Sequence, residues 1–326
     1  MNSPVVVQSG PDAGALWHRG DPFGEQKLLE AGRAMVALPG RTVVSVTGAD
    51  RASWLHSLTT GVFNPLTPGK AIQALVLGPT AHVRHGLLAL DDGEQTWLLG
   101  ASPTDQSLGG YLDSMRFRMK VEVTEHPELV ALWVGEHLDD APTAVIDGLD
   151  AGVDGGRVRI VAGSELSDGD DRLAGLWAWE ALRLAAGIPR IGRDTDDKTL
   201  PNELGLFATA LDKGCYTGQE TVARVNNIGR PPRRLARLLL DGSMDRLPAE
   251  GAEIMLGGEP VGRVGTSAAH YDQGPLALGL LRRSVPVAAS LVVDGDIAAA
   301  QEAIVDPDIG LHFTSDPALR RRKRTL

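Results

Sequence analysis

One cysteine stands in 326 residues, so no disulfide can close within the chain. That scarcity excludes a stapled secreted scaffold and, with no secretory apolar segment near Met1, predicts a reducing, cytoplasmic location. Long apolar runs are missing as well. None approaches the about 20 residues needed to cross a bilayer. The nearest, Val285 to Val293, contains Pro286 and reads as a strand, so no membrane partner is expected. Positive charge is in deficit, with 32 Lys and Arg against 42 Asp and Glu, a formal net charge of −10. Duplex binding depends on neutralising phosphates, so no nucleic-acid partner is expected either. The Arg320-Arg321-Arg322-Lys323-Arg324 run is a local exception and reads as part of a solvated basic tail over 307–326.

Several motifs are absent too. Neither a G-x-x-x-x-G-K-[ST] nor a G-x-G-x-x-G pattern stands after a predicted strand. His82 and His85, three apart on a strand, would face opposite sides; they read as paired surface histidines, and no metal site is expected. A lone thiolate cannot supply the four cysteine ligands of an ordinary iron–sulfur cluster.

What the chain does contain is an ordinary globular balance of 43% hydrophobic and 23% charged residues, long enough for two or three domains. Aromatic residues are only 4%, while Gly and Pro number 39 and 20, which favours short strands and turns over a helical bundle. Residues 1–24 read as a flexible N-terminus. Gly24 to Leu38 reads as a helix with Leu28, Leu29, Ala31 and Met35 on its apolar side, stopped by Pro39-Gly40. A second helix is predicted from Asp50, whose side chain would cap it, with Trp54, Leu55 and Leu58 turned inward. Ala71–Leu77 and His82–Leu90 read as paired strands around Gly78-Pro79-Thr80, and Gln95–Leu99 follows the hairpin-type Asp92-Gly93. Residues 25–130 thus form an α+β lobe with a mostly antiparallel sheet.

A second lobe is expected over 131–230. Short strands occupy Ala131 to Ala162, and Arg172 to Gly187 is the strongest helix, with Leu173, Leu176, Trp177, Ala181 and Leu184 in one stripe. Arg190 to Glu203 is a polar loop without period, long enough to suggest function. A last helix should run to about Asn226, closed by Gly229 and Pro231-Pro232. Alternating segments over 231–306, with a Gly257-Gly258 turn, fit a small β-barrel.

The cysteine itself, Cys215, sits in Asp212-Lys213-Gly214-Cys215-Tyr216-Thr217-Gly218-Gln219-Glu220, a stretch too polar and turn-rich for a core thiol. Gly214 and Gly218 permit sharp turns or the close approach of a ligand. Thr217-x-x-Glu220 has capping-box spacing, with Thr217 as N-cap and Glu220 at N3. Cys215 would then precede a helix N-terminus, and that dipole end together with Lys213 would favour thiolate over thiol. Cys215 is therefore the candidate reactive centre, with Lys213 as its positive field. Gln219 would offer amide hydrogen bonds, and Arg224 stands at i+4 from Glu220 for a surface ion pair.

The run Lys213-Gly214-Cys215-Tyr216-Thr217-Gly218-Gln219-Glu220 with Val222-Ala223-Arg224 resembles the K-G-C-Y-x-G-Q-E-x-V-A-R signature of the YgfZ family of folate-binding proteins. Leu182-Arg183 to Gly187-Ile188-Pro189, Leu200-Pro201-Asn202-Glu203 and Gly229-Arg230-Pro231-Pro232-Arg233-Arg234-Leu235 match the family pattern in order. The resemblance implies kinship with the glycine-cleavage T-protein, an aminomethyltransferase that uses tetrahydrofolate. The implied fold is α+β, a cloverleaf of two α+β lobes around a central channel plus a C-terminal β-barrel. The implied role is folate-assisted synthesis or repair of iron–sulfur clusters in client enzymes, with the motif cysteine required and clients or assembly factors as partners. Arg183 and Glu203 are candidate folate contacts, with a structural salt bridge as the equal alternative for each. A tetrahydrofolate-dependent one-carbon transferase or demethylase is the alternative. Two departures weigh against the T-protein reaction: its Arg-Leu-Glu-Ala-Gly segment reads Arg183-Leu184-Ala185-Ala186-Gly187, and Ala81-His82-Val83-Arg84-His85 lacks a carboxylate. A carboxylate would stabilise a cationic one-carbon centre, and Arg84 would oppose it.

Overall fold

A computed structural model describes residues 4–101, 106–167, 169–227 and 229–308; the predicted Arg320–Arg324 run lies outside them. The chain opens with paired strands β1 (Val5–Val6) and β2 (Leu16–His18), then α1 (Pro22–Glu30) and β3 (Met35–Ala37). Next come β4 (Thr42–Thr47), α2 (Arg51–Leu58), β5 (Ala71–Leu77), β6 (Val83–Asp91), β7 (Thr96–Ala101), α3 (Leu108–Ser114) and β8 (Glu122–Glu125). These strands form one antiparallel sheet in the order β5-β6-β7-β4-β8. β9 (Leu129–Gly135), β10 (Ala144–Leu149), β11 (Gly156–Ala162) and β12 (Leu173–Ala174) form a second sheet, β10-β11-β9-β3-β12, which takes in β3 from the start of the chain. Then follow α4 (Leu176–Ala185), a long loop and α5 (Gln219–Asn227).

The remainder is a closed barrel, β13-β16-β15-β14-β17-β18, built from β13 (Arg233–Leu240), β14 (Glu253–Leu256), β15 (Glu259–His270), β16 (Gly274–Arg282), β17 (Leu291–Val293) and β18 (Ile297–Ala303). Closure leaves no sheet edge to protect. Mixed sheets, few helices and a terminal barrel make the fold α+β, as the sequence predicts.

α4 ties the layers together. Leu176, Ala178, Trp179 and Leu182 join a core with Trp133 and Ile160 of the second sheet and Leu88, Trp97 and Leu99 of the first. Its Ala181 and Leu184 face another core that contains Leu235, Leu278 and Leu280 on the outer wall of the barrel. Leu238, Val264, Leu281 and Val293 fill the barrel interior.

Three sequence expectations are corrected here. The helix predicted to reach Leu38 stops at Glu30, because Gly32 turns left-handed at φ 67° and Met35–Ala37 pair with Leu132–Val134. The N-terminal segment read as flexible is docked: Asp12 is buried against Arg190, and Trp17 stacks on Trp177 at 5.7 Å. Asp50 does not cap α2; its carboxylate accepts the Lys120 amide at 2.7 Å.

Candidate functional site

Cys215 is exposed and free. It stands four residues before α5 on a segment anchored by Lys213, whose ammonium donates to the carbonyls of His56, Thr59 and Gly61 at 2.6, 2.7 and 2.5 Å. Those carbonyls end α2 and begin the turn after it, so three converging bonds fasten the motif to the first lobe. The same ammonium lies 5.1 Å from the Tyr216 ring centre, a cation–π placement. Burial lowers the Lys213 pKa to about 8, while the three carbonyls keep its protons engaged. Lys213 therefore acts on Cys215 by fixing its position, with its own donors already taken.

Gly218 has φ 80°, and a Cβ there would sit 2.9 Å from Ala81 Cα and 3.1 Å from Gly78 O. The motif is thus pressed against the β5–β6 turn where only glycine fits. This also overturns the predicted capping box. α5 begins at Gln219, with Gly218 and not Thr217 before it, and no hydrogen bond involves the side chain of Thr217 or Glu220 among the described residues. Glu220 and Arg224 are exposed, with no ion pair between them. Gln219 turns inward and donates from Nε2 to Lys213 O at 3.3 Å. Tyr216 and Val222 are buried beneath the motif, and Asn202 donates to Val222 O.

His56, which the sequence did not single out, stands beside Gly214, the residue before the cysteine. His56 Nδ1 accepts the amides of Phe63 and Asn64 at 3.3 and 3.2 Å, which leaves the proton on Nε2. That nitrogen faces Gly214, 3.7 Å from where a Cβ would be. Burial, then the Lys213 charge, lowers the His56 pKa. A lone histidine within a helix gives no sequence signal of such a neighbour.

At the centre of the molecule Arg183, a candidate ligand contact, is buried and fully engaged. It donates to Glu180, to Asp194 at 2.8 Å, to Ile188 O at 2.9 Å and to Thr266 of the barrel. Arg190 links Glu180 at 3.2 Å to Asp12 at 2.6 Å. Burial pushes the Glu180 carboxyl up, but Arg183 and Arg190 outweigh it and hold it at about 2. Glu203, the other candidate, is buried and accepts from Arg233 at 2.8 Å and from the Leu200 amide at 3.0 Å. Arg233 also bonds Asp196 at 2.6 Å. Burial opposes the Asp196 charge, yet Arg233 and Thr199 hold that carboxyl well below the usual carboxylate range. The polar loop 190–203 is therefore a lacing of ion pairs between the second lobe and the barrel. His85 is buried too, contrary to the surface expectation; burial and then Arg84 push its pKa down to about 4.

Arg41 has a different character. It lines two crevices of about 20 and 30 Å³ between the sheets and α4, and makes no side-chain hydrogen bond or ion pair among the described residues. Burial first, then Arg190 and Arg183, lower its pKa to about 10. It follows Gly40, where a Cβ would fall 2.2 Å from Arg190 and 2.3 Å from Asp12. Nothing in the sequence around it signals this site.

The structure overlays on the glycine cleavage system aminomethyltransferase T of Bartonella henselae with a TM-score of 0.73, covering 94% of this chain and 95% of that one at 16% identity. In sequence the chain is 42% identical over 91 residues to the tRNA-modifying protein YgfZ of Edwardsiella ictaluri, and 39% over 102 residues to that of Escherichia coli. The chain is thus similar to YgfZ over part of its sequence and to the T-protein in its fold. A chloroplastic protein of Arabidopsis thaliana named "Putative transferase" is 27% identical over 294 residues, 78% of this chain. The aligned region spans 66% of that relative and only 27% and 31% of the two YgfZ proteins. No protein-family model matches the chain. Ala185 stands where the T-protein pattern places its glutamate; its carbonyl accepts from Arg237. No described helix is long and apolar enough to cross a membrane.

Proposed function

We propose that this protein binds a folate at the central crevice and assists synthesis or repair of iron–sulfur clusters in client enzymes through Cys215. The observation that carries the reading is the placement of the one thiol: exposed, ahead of a helix, on a segment locked by Lys213 and Gly218. A single sulfur can share a cluster with a partner's ligands but cannot hold one alone, so the cluster is cargo. A reducing compartment such as the cytoplasm would keep the thiol free.

The crevice chemistry fits an acceptor-rich ligand. Arg41 is a deep guanidinium with no partner, and a folate offers a pterin carbonyl and glutamate carboxylates, which such a fork matches. Arg41 would hold those oxygens, with Trp179 and Phe207 as flanking walls. A bound folate supplies one-carbon chemistry; the residues here bind, orient and exclude water. At about 20 and 30 Å³ each crevice has room for about one water, so a folate would enter only with the walls around Arg41 parted. The transferase alternative lacks a carboxylate at the β6 entry, where Arg84 stands.

Calorimetric titration with tetrahydrofolate tests the ligand: binding to the wild-type chain and at least about tenfold weaker binding by Arg41→Met are expected. Absence of heat at millimolar ligand would remove the folate. Cys215→Ser should keep folate affinity and lose support of an iron–sulfur client's activity. Turnover of an aminomethyl donor that survives Cys215→Ser would decide for the transferase.

A further inference from the structure

A cavity of about 390 Å³ with several charged residues in its lining lies away from both the cysteine and the crevices, between loop residues 193–196 and the outer wall of the barrel. Its chemistry follows from strand register. Arg233 of β13 is directly opposite Arg282 of β16, and Arg263 of β15 is opposite Leu280, two residues from Arg282. Directly opposed residues share a face, as do residues two apart on one strand. Arg233, Arg282 and Arg263 therefore stand in a row across three neighbouring strands. Leu235 and Leu280 share that face and pack on the second lobe, so the row lies on the outside of the barrel.

Opposed side chains have Cβ atoms about 4.5–5.5 Å apart and diagonal ones about 7–8 Å, where like charges repel. Arg233 is neutralised by Asp196 and Glu203. Arg193, at the cavity wall, is paired with Glu250 at 2.6 Å. Asp194 is turned away, bonded to Arg183 and to Thr266. Arg282 and Arg263 have no acid within ion-pair distance and no side-chain hydrogen bond among the described residues; Glu253, opposite Arg263 in register, stays beyond 4 Å. The Arg263 guanidinium lies over Gly251, 3.1 Å from where a Cβ would be. Beyond this cationic wall, Pro260, Val261 and Leu280 give the cavity an apolar side.

We propose that this cavity binds a small organic phosphate monoester, with its phosphate bridging Arg263 and Arg282 and its organic part against Val261 and Pro260. Phosphate offers three acceptor oxygens to two planar forks, and neutralises both without a protein carboxylate. A volume of this size suits one small ligand and exceeds what a bare anion fills. The site shares no lining residue with the Arg41 crevices, so it stands or falls independently of folate binding.

The test is calorimetry on the full chain with inorganic phosphate, glycerol 3-phosphate, ribose 5-phosphate and ribose as probes. A phosphate ester should bind more tightly than inorganic phosphate, ribose should not bind, and affinity should fall at least about tenfold in Arg263→Gln and in Arg282→Gln. Without ligand, both variants should melt at or above the wild-type temperature, because each removes a crowded charge. Failure of every phosphate probe at about 10 mM, equal affinity for inorganic phosphate and the esters, or unchanged binding in the double variant R263Q/R282Q would overturn the proposal. Lower melting of the unliganded single variants would do the same, since it would assign the arginines a structural role.

Discussion

Lys213 shows how little a residue's type says about its use. Its ammonium has three donors in a compact pyramid, and three carbonyls converge on it from the end of α2. Replacing Lys213 by Met leaves those carbonyls without their donor, and a bond to a charged group is worth about 1.5–3 kcal/mol. We expect Lys213→Met to lose at least about 1.5 kcal/mol in urea unfolding, with faster amide exchange over residues 213–222. Lys213→Arg should not rescue it, because a planar fork cannot direct three bonds to one apex. Wild-type stability in either variant would refute the anchoring role. A sequence motif can flag Lys213, but it cannot say that the side chain points back at His56, more than 150 residues away in the chain.

At the scale of elements, α5 depends on how its first turn is entered. The predicted capping box would have let Thr217 and Glu220 start the helix locally. Gly218 starts it through a left-handed turn that fits against Ala81, and neither predicted capping side chain makes a hydrogen bond among the described residues. Gly218→Ala should therefore cost about 1–3 kcal/mol from backbone strain alone, more than the loss of a typical cap. Circular dichroism melting of this variant against Thr217→Ala checks the order: a larger loss in Thr217→Ala would restore the capping box. α4 teaches a related lesson. Its stripe was readable, yet Leu173 at the predicted start belongs to β12, because pairing with Met35 competes for that residue.

Across the whole molecule, the chain Asp12–Arg190–Glu180–Arg183–Asp194–Thr266 joins N-terminal segment, second lobe, loop and barrel. Glu180 has an ordinary carboxyl value of 4.5 and is held at about 2 in the folded protein. The folded state thus favours its charged form, so this contribution is complete above 4.5 and is lost as the pH falls toward 2. Glu180→Gln leaves Arg183 and Arg190 with one buried acid fewer and should cost about 3–5 kcal/mol at neutral pH. It should also flatten the acid limb of the stability profile between pH 4.5 and 2. An unchanged acid limb would show that the network is not coupled to global unfolding.

Local sequence was enough to show which segments alternate as strands, that a barrel closes within residues 231–306, and where the single thiol sits along the chain. Those features are written in local periodicity, turn residues and one motif, each read over fewer than about fifteen neighbours. Packing settled the rest: β3 crosses into the second sheet, Arg183 and Glu203 are bound to partners, Arg41 has none among the described residues, and Arg263 and Arg282 are diagonal neighbours on one face. Such facts depend on which distant charges meet once the lobes pack. The energy that settles them, desolvation set against pairing, exists only when the packed environment does.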